Sequence, residues 1–154
     1  MSIRIKVFIF FLIVSSGICF RLYNINYDDF WIDEMISFWV ASPDYSFSES
    51  LDNHRDIEQV PFFFNLITKK YFQIFGYHEN IARYLPAVSS ILSIFVIMDL
   101  SRTLSKSNAY LFSGFLIALN IFLISYAQEL RVYSVLFLFT SLSILFFFKY
   151  LKDK

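Results

Sequence analysis

Four apolar stretches of membrane-spanning length constrain this chain more than any other feature: roughly 5–23, 84–101, 109–127 and 132–150. A helix that crosses the hydrocarbon core needs about 20 mostly apolar residues. Each stretch holds only scattered Ser, Thr and Asn, which helices in lipid tolerate through hydrogen bonds. With 57% hydrophobic residues and 21 Phe in 154, the chain exceeds the roughly 45–50% apolar content of a soluble domain. The expected fold class is therefore all-α. It is a polytopic membrane protein with one transmembrane domain over 1–154 and interfacial helices in a long first extracytoplasmic loop, 24–83. The formal net charge is zero, so no basic footprint points to nucleic acid. Cys19 stands alone, which rules out a disulfide framework within the chain.

Arg4 and Lys6 followed by apolar Val7 to Phe20 have the pattern of a signal peptide. However, the small residues Ser15, Ser16 and Gly17 lead into bulky Ile18, and apolar character resumes through Phe20 and Leu22. An uncleaved first helix is expected. The segment PFFFNLITKKYFQIFG is different in kind. Pro61 suits a helix start and Gly76 a C-terminal cap, while Asn65, Lys69 and Gln73 recur every four residues as a polar stripe beside Lys70. Such a helix is expected to lie in the interface plane, since mid-span lysines would be costly. Parity supports this. With four spans and a cytoplasmic N-terminus, Arg4 and Lys6, then Arg102 and Lys106, then Lys149, Lys152 and Lys154 all fall inside, as the positive-inside rule requires. Of 13 acidic residues only Asp99 and Asp153 then face the cytoplasm, and ten of the rest lie in the outer loop. The localisation read from this is the cytoplasmic (inner) membrane.

The outer loop opens with DDFWIDEMIS at 28–37. Asp33 and Glu34 precede MISFWV, which reads as a short surface helix. Acids in a first turn complement the helix dipole, and Trp31 and Trp39 read as interfacial anchors. Position adds a chemical reading. A carboxylate held at the bilayer surface by aromatic neighbours is partly desolvated, which makes it a better base. Adjacent acids are also oxygen ligands that could hold a divalent cation.

A second constellation is ISYAQELRVYS, in the turn between the third and fourth spans. Topology places Gln128, Glu129 and Arg131 on the same side as Asp33. An arginine there can clamp a phosphate, with Tyr126 and Tyr133 as amphipathic walls; equally, Glu129 and Arg131 can cap helix ends and pair with each other. His54, in the charged segment DNHRDIE, reads as a surface loop residue that could join Asp52, Asp56 or Glu58 at a metal. No metal-ligand spacing recurs. His78 reads as part of a connecting turn.

Taken in order, these parts resemble the N-terminal portion of the C superfamily of polytopic glycosyltransferases. The chain is similar to the protein O-mannosyltransferases and their bacterial relatives, including the aminoarabinose transferases that modify lipid A. The matching residues are a first helix ending in Arg21, WIDE at 31–34, Pro61 opening an aromatic amphipathic helix closed by FG at 75–76, Arg83 and Pro86 entering the second span, and AQELRVYS at 127–134. Many relatives carry two prolines where Val60 and Pro61 stand here. The resemblance implies transfer of a sugar from a polyprenyl-phosphate donor to a protein or glycolipid acceptor at the extracytoplasmic face. Asp33 matches the acid that acts on the acceptor, Glu129 the acidic position after the third span, and Arg131 a basic residue of the same motif. Glu34, Lys69, Lys70 and Arg83 are the further candidates for substrate binding, the cations opposite a departing phosphate. Members of that superfamily use roughly three times as many spans, so the chain is expected to be the front part of a larger enzyme. The alternative is a non-catalytic membrane subunit that binds a partner or a lipid-linked sugar. A transporter would bury ionisable groups in its spans, and these spans hold none near mid-membrane.

Overall fold

A computed structural model describes residues 2–57, 61–105 and 108–152. Glu58, Val60, Lys106, Asp153 and Lys154, used in the sequence reading, lie outside the described residues. The described residues form helices and turns without strands: α1 (Ile3–Leu22), α2 (Ile32–Val40), α3 (Phe47–Ile57), α4 (Phe62–Phe75), α5 (Glu79–Ala82), α6 (Tyr84–Leu104), α7 (Ala109–Ala118), α8 (Ile121–Ala127) and α9 (Val132–Lys152). The helix α1, the continuous run of α5 and α6, and α9 are each long and apolar enough to cross a membrane. The chain is an all-α integral membrane protein.

The third expected span is where the structure departs from a plain reading. Instead of one helix over 109–127, α7 and α8 meet at a bend of 54°. Asn120 makes the break, its side-chain oxygen accepting from the Leu123 amide at 3.0 Å to cap α8. A break in a membrane helix strands carbonyls, and each needs a partner inside the protein. Arg21, fully buried at the end of α1, supplies it: its guanidinium donates to Ile117 O at 2.9 Å and Ala118 O at 2.9 Å. The same side chain donates to Gly17 O and to the Ser90 hydroxyl.

Helix α6 is the centre of the bundle and packs on α9, α7, α1 and α8. Association in lipid depends on close backbone approach at small residues rather than on a hydrophobic drive. Ser89, Ser90 and Ser93 of α6 are buried, as are Ser134 and Ser141 of α9, and Ser89 and Ser93 return their hydroxyls to carbonyls one turn back. Gly17 lets α1 approach α6 closely, since a Cβ there would come to 2.5 Å from Ile94 Cδ1 and the isoleucine would have to shift.

Above the bundle, α2 and α4 cover one end with an aromatic core. Phe64 and Phe72 of α4 meet Ala41, Leu130 and Val135, and Phe38 stacks on Tyr77 at 4.1 Å between ring centres. Gly76 closes α4 at φ 100°, a left-handed conformation that favours glycine. Two expectations change here. His54 is in helix α3, not in a loop, and is buried with its Nδ1 3.0 Å from the Asn65 amide. The first two positions of the α4 stripe are also turned inward, while Gln73 stays exposed. Asn65 and Lys69 are buried, with the Lys69 ammonium donating to Tyr45 O and to Ser50 Oγ, and burial lowers its pKa. Helix α3 offers polar partners, so these two positions pack on it while Phe63, Ile74 and Phe75 stay exposed.

Candidate active site

The two adjacent acids of α2 have opposite environments. Glu34 is the third residue of its helix and reaches back to the Trp31 amide at 3.2 Å, the reciprocal half of a capping arrangement. That turns it into the protein, where it is 1% exposed. One carboxylate oxygen accepts from Arg83 Nε at 2.9 Å and from the Leu130 amide at 2.7 Å. The other accepts from Arg83 Nη2 at 2.7 Å as well as from Trp31. A carboxylate offers about four acceptor positions, and all are filled.

Arg83 is committed to the same degree. Besides Glu34 it donates to Ile25 O, Asp28 O and Asp29 O, so each of its five N–H groups has an acceptor. Phe30 covers one face of the guanidinium, 5.2 Å from the ring centre. Arg83 and Glu34 therefore act as a staple. They join the loop after α1, the start of α2, the entry to α6 and the turn at 128–131, and they hold no donor in reserve for a ligand.

What the staple presents is Asp33. One residue along the helix, it points outward, 64% exposed, and forms an ion pair with Arg131 at 3.1 Å, the arginine itself being 14% exposed. Arg131 comes from a tight turn in which its amide bonds Glu129 O at 2.8 Å. The turn is anchored by buried Leu130 and by Gln128, whose amide donates to Phe20 O and Tyr23 O at the end of α1. Tyr126 and Tyr133 pack at 4.6 Å between ring centres. Together Trp31, Asp33, Glu129, Arg131 and the two tyrosines surround a cavity of about 240 Å³.

Glu129 differs from both other acids. It is half-buried and its carboxylate has no hydrogen-bond partner among the described residues. Its pKa is raised, first by desolvation and then by Glu34 and Asp33, with Arg131 and Arg83 pulling the other way. Unfilled lone pairs, partial burial and a raised pKa make Glu129 a candidate for a chemical task.

Of the residues expected in the site, Asp33, Glu34, Glu129, Arg131 and Arg83 are brought together, and Lys69 and Lys70 are not. Lys69 is enclosed by α3 and its loop, and Lys70 is exposed against Gln73 at 2.9 Å. No group of three or more His, Cys, Asp or Glu stands ready to hold a metal among the described residues. For a cation at the acidic pair, only Asp33 has open lone pairs, because those of Glu34 are occupied. Sequence reasoning missed the part played by Arg21, which it treated as the end of a helix. An ionisable residue set in an apolar run was the available signal.

A family profile described as dolichyl-phosphate-mannose-protein mannosyltransferase matches residues 59–154, well over half of the chain. No curated protein and no solved structure gives a significant match.

Proposed function

The chain belongs to the dolichyl-phosphate-mannose-protein mannosyltransferase family, and on that premise we propose that its outer-mouth cavity takes part in transferring a sugar from a polyprenyl-phosphate donor to an acceptor hydroxyl at the extracytoplasmic face. The observation that carries this reading is the meeting of Asp33, Glu129 and Arg131 around one cavity where α2 and the 128–131 turn close over the bundle. A lipid phosphate carries its reacting carbon at headgroup depth, and we place the cavity at that depth.

In the proposed reaction the acceptor oxygen bonds to the anomeric carbon while the bond from that carbon to the phosphate oxygen breaks. The hydroxyl proton passes to Asp33, and the phosphate leaves with its charge against Arg131. Arg131 holds Asp33 before substrate arrives, so an incoming phosphate competes for the arginine and frees the carboxylate. Glu129 faces the positive charge that develops at the anomeric carbon. Lys69 and Lys70 take no part.

The test is transfer of radiolabelled mannose from a polyprenyl phosphate by membranes expressing the full reading frame. Asp33→Asn is expected to lower the rate by about 10²–10⁴-fold, and full activity would sink the base assignment. The rate should also fall on acidification at a pH above the ordinary carboxylate value of about 4.3, because the raised pKa of Glu129 protonates it early. Glu129→Gln should be slow and lack that acidic limb.

A further inference from the structure

Behind Trp31 lies a second cavity of about 170 Å³, which shares the walls Trp31 and Glu129 with the first. Its polar lining divides into committed donors and open side chains. Arg83 reaches it with every N–H already given to the protein, and the amide nitrogen of Gln128 is spent on backbone carbonyls. The side chains left open are those of Asn24, Asp28, Ser125 and Glu129, none with a hydrogen-bond partner among the described residues. Two are carboxylates, which only accept when ionised, and the other two can accept or donate.

That inventory selects a ligand class. Two carboxylates with no uncommitted cation beside them repel a phosphate and accept hydrogen bonds from hydroxyl groups. The indole of Trp31, 70% exposed, gives the apolar face against which the C–H side of a polyol ring packs. Across the shared wall, Arg131 offers the opposite chemistry. A glycosyl phosphate joins its ring to its phosphate through a single oxygen, so one molecule can place each half in the cavity that suits it.

Resting on the donor reading above, we infer that the second cavity is the sugar subsite, holding the hydroxyl-bearing ring of the donor through Asp28, Ser125, Asn24 and Glu129 while its phosphate lies at Arg131. Asp28 is the informative position. Its carbonyl serves the Arg83 staple at 2.8 Å, but its side chain is exposed and can be removed without touching that bond.

The experiment measures binding rather than turnover, using the purified full protein in detergent with two short-chain probes, citronellyl phosphate and mannosyl citronellyl phosphate. The mannosylated probe is expected to bind about tenfold tighter, the worth of one hydrogen bond to a charged acceptor. The double substitution Asp28→Ala/Ser125→Ala should erase that difference and leave citronellyl phosphate binding unchanged, which also shows that the variant is folded. A preference for the mannosylated probe that survives the double substitution overturns the assignment. So does a wild-type protein that binds both probes equally, an outcome that leaves the donor reading standing. Failure of the wild type to bind either probe defeats the donor reading, and the subsite with it.

Discussion

A glutamate with four donors around it and an arginine with five acceptors cannot be separated without stranding a buried charge. Removing one partner of such a pair costs about 3–5 kcal/mol, whereas replacing both by apolar groups of similar volume is often close to neutral. Glu34→Gln is therefore expected to lower unfolding stability in detergent by about that amount, with Glu34→Gln/Arg83→Met recovering part of the loss. The neighbouring Asp33→Asn, which removes only the solvent-exposed partner of its ion pair, should cost about 1 kcal/mol or less. Equal stability of the two single variants would show that Glu34 is no staple. The contrast also separates two kinds of lost activity. Asp33 variants should be folded and inactive, and Glu34 variants inactive because the 128–131 turn has lost its anchor at the Leu130 amide.

Among the elements, the broken span carries the sharpest expectation. Arg21→Met keeps the bulk of the side chain and removes the donors that satisfy Ile117 O and Ala118 O. A buried polar group left unpaired costs about 1–3 kcal/mol, so the variant should melt well below wild type in detergent, and an unchanged melting temperature would refute the role given to Arg21. This element also marks where the sequence stopped being legible. Length and hydropathy located α1, α6 and α9 to within about three residues at each end, because spanning a bilayer depends on little else. The same criteria read 109–127 as one helix, since Leu119 and Asn120 change the hydropathy little and the break depends on an arginine nearly a hundred residues away. Pattern failed at α4 for a related reason. The period of Asn65, Lys69 and Gln73 was right, but the side on which a polar stripe finds partners is set by α3, and nothing in the spacing says that α3 lies there. In the site, the Asp33–Glu34 pair and the Glu129–Arg131 turn were visible as residue types. Which acid is buried and which is free follows from helix capping geometry and could not be read from two adjacent letters.

Over the whole molecule, most carboxylates gather at one end, with Arg83 and Arg131 among them. Arg102 and Lys149 lie at one end of the bundle, where Arg102 sits over Tyr110 at 3.9 Å and Lys149 pairs with Asp99 at 2.7 Å. Lys152 follows one turn later on α9. The opposite end carries Asp28, Asp29, Asp33, Glu34 and Glu129 with both cavities. Basic residues flanking short loops hold their end in the cytoplasm, so the placement of Arg102, Lys149 and Lys152 predicts that the cavities open outward. After Cys19→Ser removes the native thiol, a single cysteine at exposed Glu79 should react with a membrane-impermeant maleimide on intact cells. One at Lys152 should react only after the cells are permeabilised. The reverse pattern would put Asp33 and Arg131 in the cytoplasm and would end the extracytoplasmic reading, whatever the variants of those residues do to transfer. The expected pattern would tie the site to the leaflet from which a donor's headgroup must reach it. Accessibility and transfer then become independent measurements of one arrangement, because the charges that orient the bundle are remote from those proposed to act on the sugar.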